Sequence, residues 1–550
     1  MRGRAWLVAL WCAAAVLGLI LATANLFLGE LNQDEGMYLY AAREITRGRL
    51  PFVDFASTQG PAMSFVYAAA HPLVRLWGVA GGRLFTASLG LAGCVVAALL
   101  AGRLAREGNG SAAALIAFIL IGVNVYQSYF TVIVKTYALA ALFLTGSFLA
   151  LSFREGRSGG WAVCGAGVLS ALATGTRLSA GVALPIIFVW LLCAGGRERG
   201  GAEKAPPASR VRLAAWFGAG AIATLLVVFL PFALRAPEAL YFGLVEYHAG
   251  RATGGLLQAL AYKVGFVSRF VQAYFVAVGL LIFLGLKAAW RKSVGSVATR
   301  SETAATNCSQ LVLPIWLTVL SITAVHFLAP FPYDDYQVIV FPLFAVALAA
   351  SFTFDRAGSV RETQEFVRPL ACGGLLVICA VAAFSSPINQ SWFVGRRDRI
   401  WWPLKATPGL AQLQEPVALI RSHSGPADLL LTQDLYLAVE ADRTVPAGLE
   451  LGPFSYYPEW PRERAEKCHV LNDRMFRELL QTAPAPVAAM SEWAFAIAAP
   501  GIVPVPTAAQ NEMWAILERR YRLLKEFARF GQGETVLRIL VAAEGARSEH

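Results

Sequence analysis

Residues 5–28, AWLVALWCAAAVLGLILATANLFL, form an apolar run without a single charged side chain. About 20 helical residues are enough to cross the hydrocarbon core of a bilayer, so this run can span a membrane. It follows Met-Arg-Gly-Arg, and a signal peptide is therefore the alternative. No clean small-x-small cleavage site precedes Leu31, and we expect the run to be a transmembrane helix.

Further apolar runs of spanning length follow along the chain. They lie near 84–102, 111–129, 131–152, 161–176, 179–195, 212–234, 266–288, 310–329, 336–353 and 369–388. The runs lack the alternation of barrel strands, and only helices or closed barrels satisfy their backbone in lipid. The sequence predicts an α-helical polytopic membrane protein with about eleven spans, nine to thirteen being compatible with the pattern.

The composition agrees with a membrane protein. The chain is 57% hydrophobic and 15% charged with a net charge of +11, whereas soluble proteins are about 25% charged. Lys and Arg concentrate in the loops that would be cytoplasmic if the N-terminus lies inside. We therefore expect a multi-pass protein of the inner (cytoplasmic) membrane with its C-terminal part outside, and no nucleic-acid partner.

Two parts are expected along the chain. Residues 1–390 would form the transmembrane domain, with outer loops at 30–83 and 235–265, and 391–550 an extracytoplasmic soluble α/β domain. Within the latter, 427–446 and 534–543 look like strands, and 473–483 and 511–530 look helical.

The first outer loop, LNQDEGMYLYAAREITRGRLPFVDFASTQGPAMSFVYA (31–68), carries the most informative residues. Asp34 and Glu35 come directly after the first apolar run, at the start of a predicted short helix that Gly48 ends. One interpretation is that Asp34 caps this helix and Glu35 complements its dipole. The other is that a carboxylate here acts as a general base toward an acceptor hydroxyl.

An acidic pair after helix one, a Tyr-rich short helix and then G-R-L-P-F-V-D-F (48–55) and Q-G-P (59–61) resemble the first periplasmic loop of bacterial GT-C glycosyltransferases. That family includes dolichyl-phosphate-mannose-protein O-mannosyltransferases and the aminoarabinose transferases of lipid A. PFPYDDYQVIVFPLFAVALA (330–349) resembles its late outer loop and following helix. VPAGLELGPFSYYP (445–458) resembles parts of the outer domain in some members.

The resemblance implies that Asp34 is the catalytic base with Glu35 its catalytic neighbour, and that the donor is a polyprenyl-phosphate sugar. Two departures are visible. The aminoarabinose branch has Phe-Glu-Lys-Pro where this chain has Thr58-Gln59-Gly60-Pro61. The next outer loop, NVYQSYFTVIVKTYA (124–138), lacks the second acidic residue that relatives carry there.

Four cationic or titratable residues near the predicted outer face are candidates for binding the donor phosphate. They are Lys135, Arg177, His248 and Arg251. Charges at membrane depth are costly and point to function, and the Arg fork suits phosphate. The alternatives are snorkelling for Lys135 and a solvated loop for His248 and Arg251.

Asp334 and Asp335 stand between Tyr333 and Tyr336. The two carboxylates could ligate a divalent metal ion, the one cofactor the sequence suggests; the alternative is a solvent-facing turn beside an interfacial aromatic belt. Tyr38, Gln59, Tyr333 and Tyr336 are the residues expected to line the substrate pocket.

The function predicted is transfer of a hexosyl or pentosyl unit from a polyprenyl-phosphate carrier to a glycan, lipid or protein acceptor at the extracytoplasmic face. A transporter or flippase for a lipid-linked or amphiphilic substrate is the alternative, since intramembrane charges suit it as well. No paired inverted halves support it. A structural assembly subunit is a third reading, and it would tolerate replacement of Asp34 and Glu35.

Overall fold

The structure is a computed structural model that describes residues 2–105, 108–155, 159–194, 207–251, 255–293, 310–352, 361–389 and 407–543. The part up to residue 389 contains α1 (Arg2–Leu28), α2 (Gln33–Thr46), α3 (Ala62–Ala69), α4 (His71–Leu104), α5 (Gly110–Gly122), α6 (Val125–Val132), α7 (Thr136–Leu151), α8 (Gly159–Thr176), α9 (Ala183–Ala194), α10 (Pro207–Arg235), α11 (Pro237–Tyr241), α12 (Tyr247–Ala249), α13 (Leu256–Ala273), α14 (Phe275–Ser293), α15 (Val312–Leu328), α16 (Phe341–Ser351) and α17 (Arg361–Asn389). Short 3-10 helices cover Leu178–Val182 and Asp334–Ile339.

The rest of the described chain, 407–543, mixes helices and strands. Its elements are α18 (Gly409–Gln412), α19 (Gln414–His423), β1 (Leu430–Leu431), α20 (Leu435–Ala441), α21 (Arg462–Lys467), α22 (Asp473–Thr482), β2 (Val487–Ser491), β3 (Ile497–Ala498), β4 (Val503–Pro504), α23 (Thr507–Arg520), β5 (Tyr521–Phe530) and β6 (Thr535–Ala542). The sheet order is β1-β2-β6-β5, with β1 parallel to β2 and the other pairs antiparallel. The predicted α/β character of this part is confirmed.

All eleven predicted apolar runs contain helix, but they differ in length and straightness. Four helices are long and apolar enough to cross a membrane, namely those around Ala5–Leu28, His71–Leu104, Ser209–Arg235 and Arg368–Ser385. Two further runs are bent pairs, α5 with α6 at 69° and α13 with α14 at 86°. Length and composition thus identify four to six spans among the described residues, and shorter apolar helices complete the bundle.

The centre of the helical part is apolar on all sides. In α16 every residue from Phe341 to Ala350 is buried, and α5 is buried over most of its length. A helix that is hydrophobic all round belongs to the interior. Exposed large apolar side chains instead lie on α1, α10, α14 and α17, which form the periphery.

Two secondary-structure predictions in the C-terminal part are wrong. Residues 427–446 contribute the two-residue strand β1 and then helix α20, not an extended strand. The helix expected over 511–530 ends at Arg520, and 521–530 forms β5. β5 pairs with β6 through backbone hydrogen bonds, and this tertiary pairing overrides the helical propensity of its Leu, Lys and Arg residues.

The C-terminal part packs directly on the first outer loop. Leu31, Leu39 and Tyr40 belong to the same buried apolar cluster as Leu435 and the sheet residues. Helices α2 and α20 meet so closely that a Cβ at Gly36 would lie 2.3 Å from the backbone nitrogen of Tyr436. Glycine at this position allows the contact, and the outer loop is thereby held between membrane helices and the C-terminal sheet.

Candidate active site

Helix α2 begins with a cap that frees the carboxylate of Asp34. The Asn32 side chain accepts a hydrogen bond from the Asp34 backbone N–H at 3.1 Å, and Glu35 Oε2 accepts from the Asn32 N–H at 3.1 Å. This is a reciprocal capping box. The interpretation that Asp34 itself caps the helix is therefore wrong, because Asn32 does so.

Glu35 is fully buried and its oxygens are occupied. Arg83 donates to Glu35 from Nε at 2.8 Å and from Nη2 at 2.7 Å, and the Val134 N–H donates at 3.1 Å. The remaining Arg83 donors bind the carbonyl groups of residues 26, 29 and 30, at the end of α1. The geometry gives Glu35 a positioning role: it fixes α2, and with it Asp34, against α1 and α4.

Arg83 is a residue that the sequence analysis missed. It lies within α4, which begins thirteen residues before the predicted run at 84–102, and its side chain is 0% exposed. An arginine flanked by apolar residues in GVAGGRLFTASLG (78–90) was the available signal, since buried charges are rare unless they are paired.

Asp34 faces a buried lysine and a second carboxylate. Lys135 Nζ lies 3.2 Å from Asp34 Oδ2 and 2.9 Å from Asp335 Oδ2. The Asp34 side chain is 29% exposed, against 10% for Lys135 and 12% for Asp335. The structure thus brings together three predicted residues from three separate segments, and Asp34 is the most accessible of them.

The metal site predicted at Asp334 and Asp335 stays a prediction. Among the residues that the structure describes, no three His, Cys, Asp or Glu side chains are grouped so that they could hold a metal ion. The ammonium of Lys135 lies between the carboxylates of Asp34 and Asp335. The side chain of Asp334, the other proposed ligand, lies outside the described residues.

Arg177 is held among aromatic rings close to this cluster. Its guanidinium lies 5.0 Å from the centre of the Tyr137 ring and 4.2 Å from that of Tyr336, and Nη1 donates to Thr136 Oγ1 at 3.1 Å. Cation–π contacts of this kind keep a guanidinium oriented without consuming its hydrogen-bond donors. Arg177 therefore presents hydrogen-bond donors beside Thr136, which directly follows Lys135 in the chain.

A row of tyrosines connects Arg177 with Arg251. The rings of Tyr336 and Tyr333 are 5.5 Å apart, and the Arg251 guanidinium lies 5.5 Å from Tyr333 and 5.4 Å from Tyr247. The structure thus brings residues of the loop at 235–265 and of the loop at 330–340 together at one site. Tyr137 and Tyr247 were not expected there, because nothing in their local sequence distinguishes them from interfacial tyrosines.

His248 differs from the other phosphate candidates. Its Nε2 lies 2.8 Å from the Thr58 carbonyl oxygen, so this nitrogen carries the proton and donates. Burial, assisted by nearby Arg251 and Arg177, lowers the pKa of His248 to about 4 despite that hydrogen bond. His248 is accordingly neutral at pH 7 and ties the second outer loop to the first.

A cleft beside α2 contains the remaining two pocket candidates. Tyr38 and Gln59 line it together with Met63 and Glu450, the last from the C-terminal part. Burial and the neighbouring Asp34 raise the pKa of Tyr38 well above its ordinary value, so the phenol stays protonated. The cleft thus offers the hydroxyl group of Tyr38 and the amide group of Gln59.

No protein-family model and no curated protein matches this sequence. Among solved structures, ArnT from Cupriavidus metallidurans bound to undecaprenyl phosphate superposes with a TM-score of 0.59 at 13% identity, covering 98% of this chain and 99% of that one. The same protein in the apo state gives 0.58 at 15% identity, with 98% of each chain covered. The Archaeoglobus fulgidus oligosaccharyltransferase in the apo form gives 0.49 at 12% identity, over 98% and 75% of the two chains.

At such identities the likeness concerns architecture, and it extends over nearly the whole chain. The fold predicted from the first outer loop is confirmed: this chain has the fold of the GT-C membrane glycosyltransferases.

Proposed function

We propose that this protein is a glycosyltransferase that moves a sugar from a polyprenyl-phosphate carrier to an acceptor at the extracytoplasmic membrane face. The observation that carries the proposal is the position of Asp34. This partly exposed carboxylate lies beside Lys135 and close to the tyrosines that connect Arg177 with Arg251. It stands on helix α2, which the ion pair of Glu35 and Arg83 holds in place. A general base needs such an orientation and access to solvent or substrate.

The donor phosphate would bind to Arg177 and Arg251, with one N–H of Lys135 assisting. The buried Nε of Arg251 has no hydrogen-bond partner among the described residues. Two parallel N–H groups of a guanidinium match the oxygens of a phosphate. The similar ArnT structure is described as bound to undecaprenyl phosphate, which supports a polyprenyl phosphate as the carrier here.

The sugar would lie between the phosphate and Asp34. Tyr333 and Tyr336 offer aromatic faces, which suit the apolar face of a sugar ring, and their hydroxyl groups offer polar contacts. Tyr38 and Gln59 approach from the first outer loop. Either a hexose or a pentose is compatible with this lining.

The reaction would be a single displacement. Asp34 removes the proton from the acceptor hydroxyl while that oxygen attacks the anomeric carbon. The bond between this carbon and the phosphate oxygen breaks, its electron pair leaves with the phosphate, and configuration inverts. Because the leaving phosphate is already anionic and is held by arginines, no separate acid is required.

His248 would contribute to the site without a charge. As a neutral donor to the Thr58 carbonyl, it joins the loop that contains Arg251 to the loop that contains Gln59. The proposed site is thus built from the predicted outer loops. In the proposed topology the protein spans the inner membrane of a bacterium, with the N-terminus in the cytoplasm and residues 407–543 on the extracytoplasmic side.

The test is a reconstitution of the purified full chain in liposomes with a radiolabelled undecaprenyl-phosphate sugar and a membrane glycan extract. Transfer of label into a product insoluble in organic solvent supports the enzyme. Movement of labelled donor between leaflets without transfer would support the transporter instead. Heat-inactivated protein is the control for spontaneous exchange.

A further inference from the structure

Lys135 joins the two carboxylates of the candidate site through one ammonium group. Its Nζ lies 2.9 Å from Asp335 and 3.2 Å from Asp34, and all three side chains are at least partly buried. Asp34 and Asp335 are separated by 300 residues of sequence. The buried Oδ1 of Asp335 has no hydrogen-bond partner among the described residues. This carboxylate therefore still has one oxygen that can accept a hydrogen bond or bind a cation.

The lysine is fixed on several sides. Lys135 directly precedes α7 and has an extended backbone, with φ of −137° and ψ of 168°. The backbone N–H of the preceding residue, Val134, donates a hydrogen bond to the buried Glu35. The rings of Phe130 and Tyr137 lie 5.4 and 5.6 Å from Nζ. An ammonium placed this way is oriented by its backbone, by two carboxylates and by two aromatic faces.

A divalent cation would require the same space. Two carboxylates from different segments are the type of oxygen ligands that Mg²⁺ and Mn²⁺ use. The ammonium between them already offsets part of their negative charge, and a dication would also be repelled by Lys135. No third carboxylate, His or Cys side chain joins the group among the residues described.

We infer that Lys135 is the resident cation of this site, taking the position between Asp34 and Asp335 that a divalent metal ion would otherwise occupy. The ammonium pairs with both carboxylates and holds the late outer loop against the first one. The consequence for sugar transfer rests on the proposed function. The position of the cation does not rest on the proposed function, and it is tested without any sugar donor.

The experiment is a titration of the purified full-length protein with Mn²⁺, followed by electron paramagnetic resonance of free and bound ion. Lys135→Ala removes the ammonium and leaves both carboxylates. We expect this variant to bind one Mn²⁺ at least about tenfold more tightly than the parent, because the repulsion and the steric block are gone. The double variant Lys135→Ala/Asp335→Asn should return to the parent's background.

Lys135→Met is the matched control, because its unbranched side chain fills much of the same space without a charge and should bind little Mn²⁺. Two results would overturn the inference. One is a parent protein that binds one Mn²⁺ and loses it with Asp335→Asn alone. The other is a Lys135→Ala variant that keeps the parent's melting temperature but shows no added Mn²⁺ binding. Comparing the parent with Asp335→Asn tests the inference even if Lys135→Ala does not fold. Neither result bears on whether sugar is transferred.

Discussion

Glu35 and Arg83 form a bidentate ion pair with distances of 2.7 and 2.8 Å, and both side chains are 0% exposed. The two acidic residues of the first outer loop therefore have different surroundings. Glu35 is surrounded by hydrogen-bond donors inside the protein, whereas Asp34, one residue earlier, is partly open to solvent.

Glu35→Gln should destabilise the protein by about 3–5 kcal/mol, because it leaves the buried Arg83 without a counter-charge. Asp34→Asn should change stability by less than about 1 kcal/mol, since Lys135 keeps Asp335 as a partner. Thermal unfolding of both variants in detergent measures the difference. Equal losses for the two variants would contradict the division of roles.

Arg177→Gln and Arg251→Gln should each weaken binding of undecaprenyl phosphate by about tenfold or more, because each removes a charged fork near the proposed phosphate position. Binding can be followed by titration calorimetry of the purified protein. Arg474→Gln, at a residue whose side chain is 82% exposed on α22, is the matched control. Unchanged affinity in both site variants would place the phosphate elsewhere.

His248 should make stability depend on pH in a defined window. Its pKa in the folded protein is about 4, below the ordinary 6.5, so between these values the unfolded chain takes up a proton that the folded protein does not. The His248 contribution is complete above pH 6.5 and is lost as pH falls toward 4.

Replacing His248 by Gln, which keeps an N–H donor, should therefore reduce the fall in melting temperature between pH 6.5 and pH 4.5. The same replacement at the exposed His423 is the control. An identical pH profile for the parent and the His248 variant would show that this ring is not held neutral by the fold.

Gly36 should not tolerate a side chain. A Cβ there would meet the backbone of Tyr436 at 2.3 Å, so Gly36→Ala must push α2 away from α20 and lower the melting temperature by several degrees. In α4, a Cβ at Gly93 would have no heavy atom within 4 Å, and Gly93→Ala should be neutral or slightly stabilising because alanine favours helix. Limited proteolysis of 407–543 would report whether this part has loosened.

The helical fold and Asp34 could be predicted from the sequence because both signals are local. Apolar runs of spanning length and an acidic pair at the end of the first one lie in single stretches of chain. The breaks after Gly122 and at Tyr274 could not be predicted, because the apolar runs continue through them. There, the Asn124 side chain caps α6 and donates to the Ala273 carbonyl, which joins the two bends.

The pairings inside the candidate site depend on the tertiary structure. Lys135 and Asp335 appeared in the sequence as a phosphate ligand and a metal ligand, and their contact arises only when the loops at 133–135 and 330–340 meet. The strand β5 was hidden for a similar reason. Its partner β6 lies beyond a four-residue turn, and the residues RLLKEFAR suit a helix until that pairing forms.

The most direct test of the central claim compares Asp34→Asn with the parent in single-turnover transfer from a labelled undecaprenyl-phosphate sugar. Asparagine keeps the shape but cannot accept the proton, so we predict a fall in the transfer rate of at least about a hundredfold with donor binding and melting temperature retained. Asp34→Glu, which keeps the carboxylate, should retain part of the rate. Transfer at the parent's rate by Asp34→Asn would contradict the assignment of Asp34 as the general base.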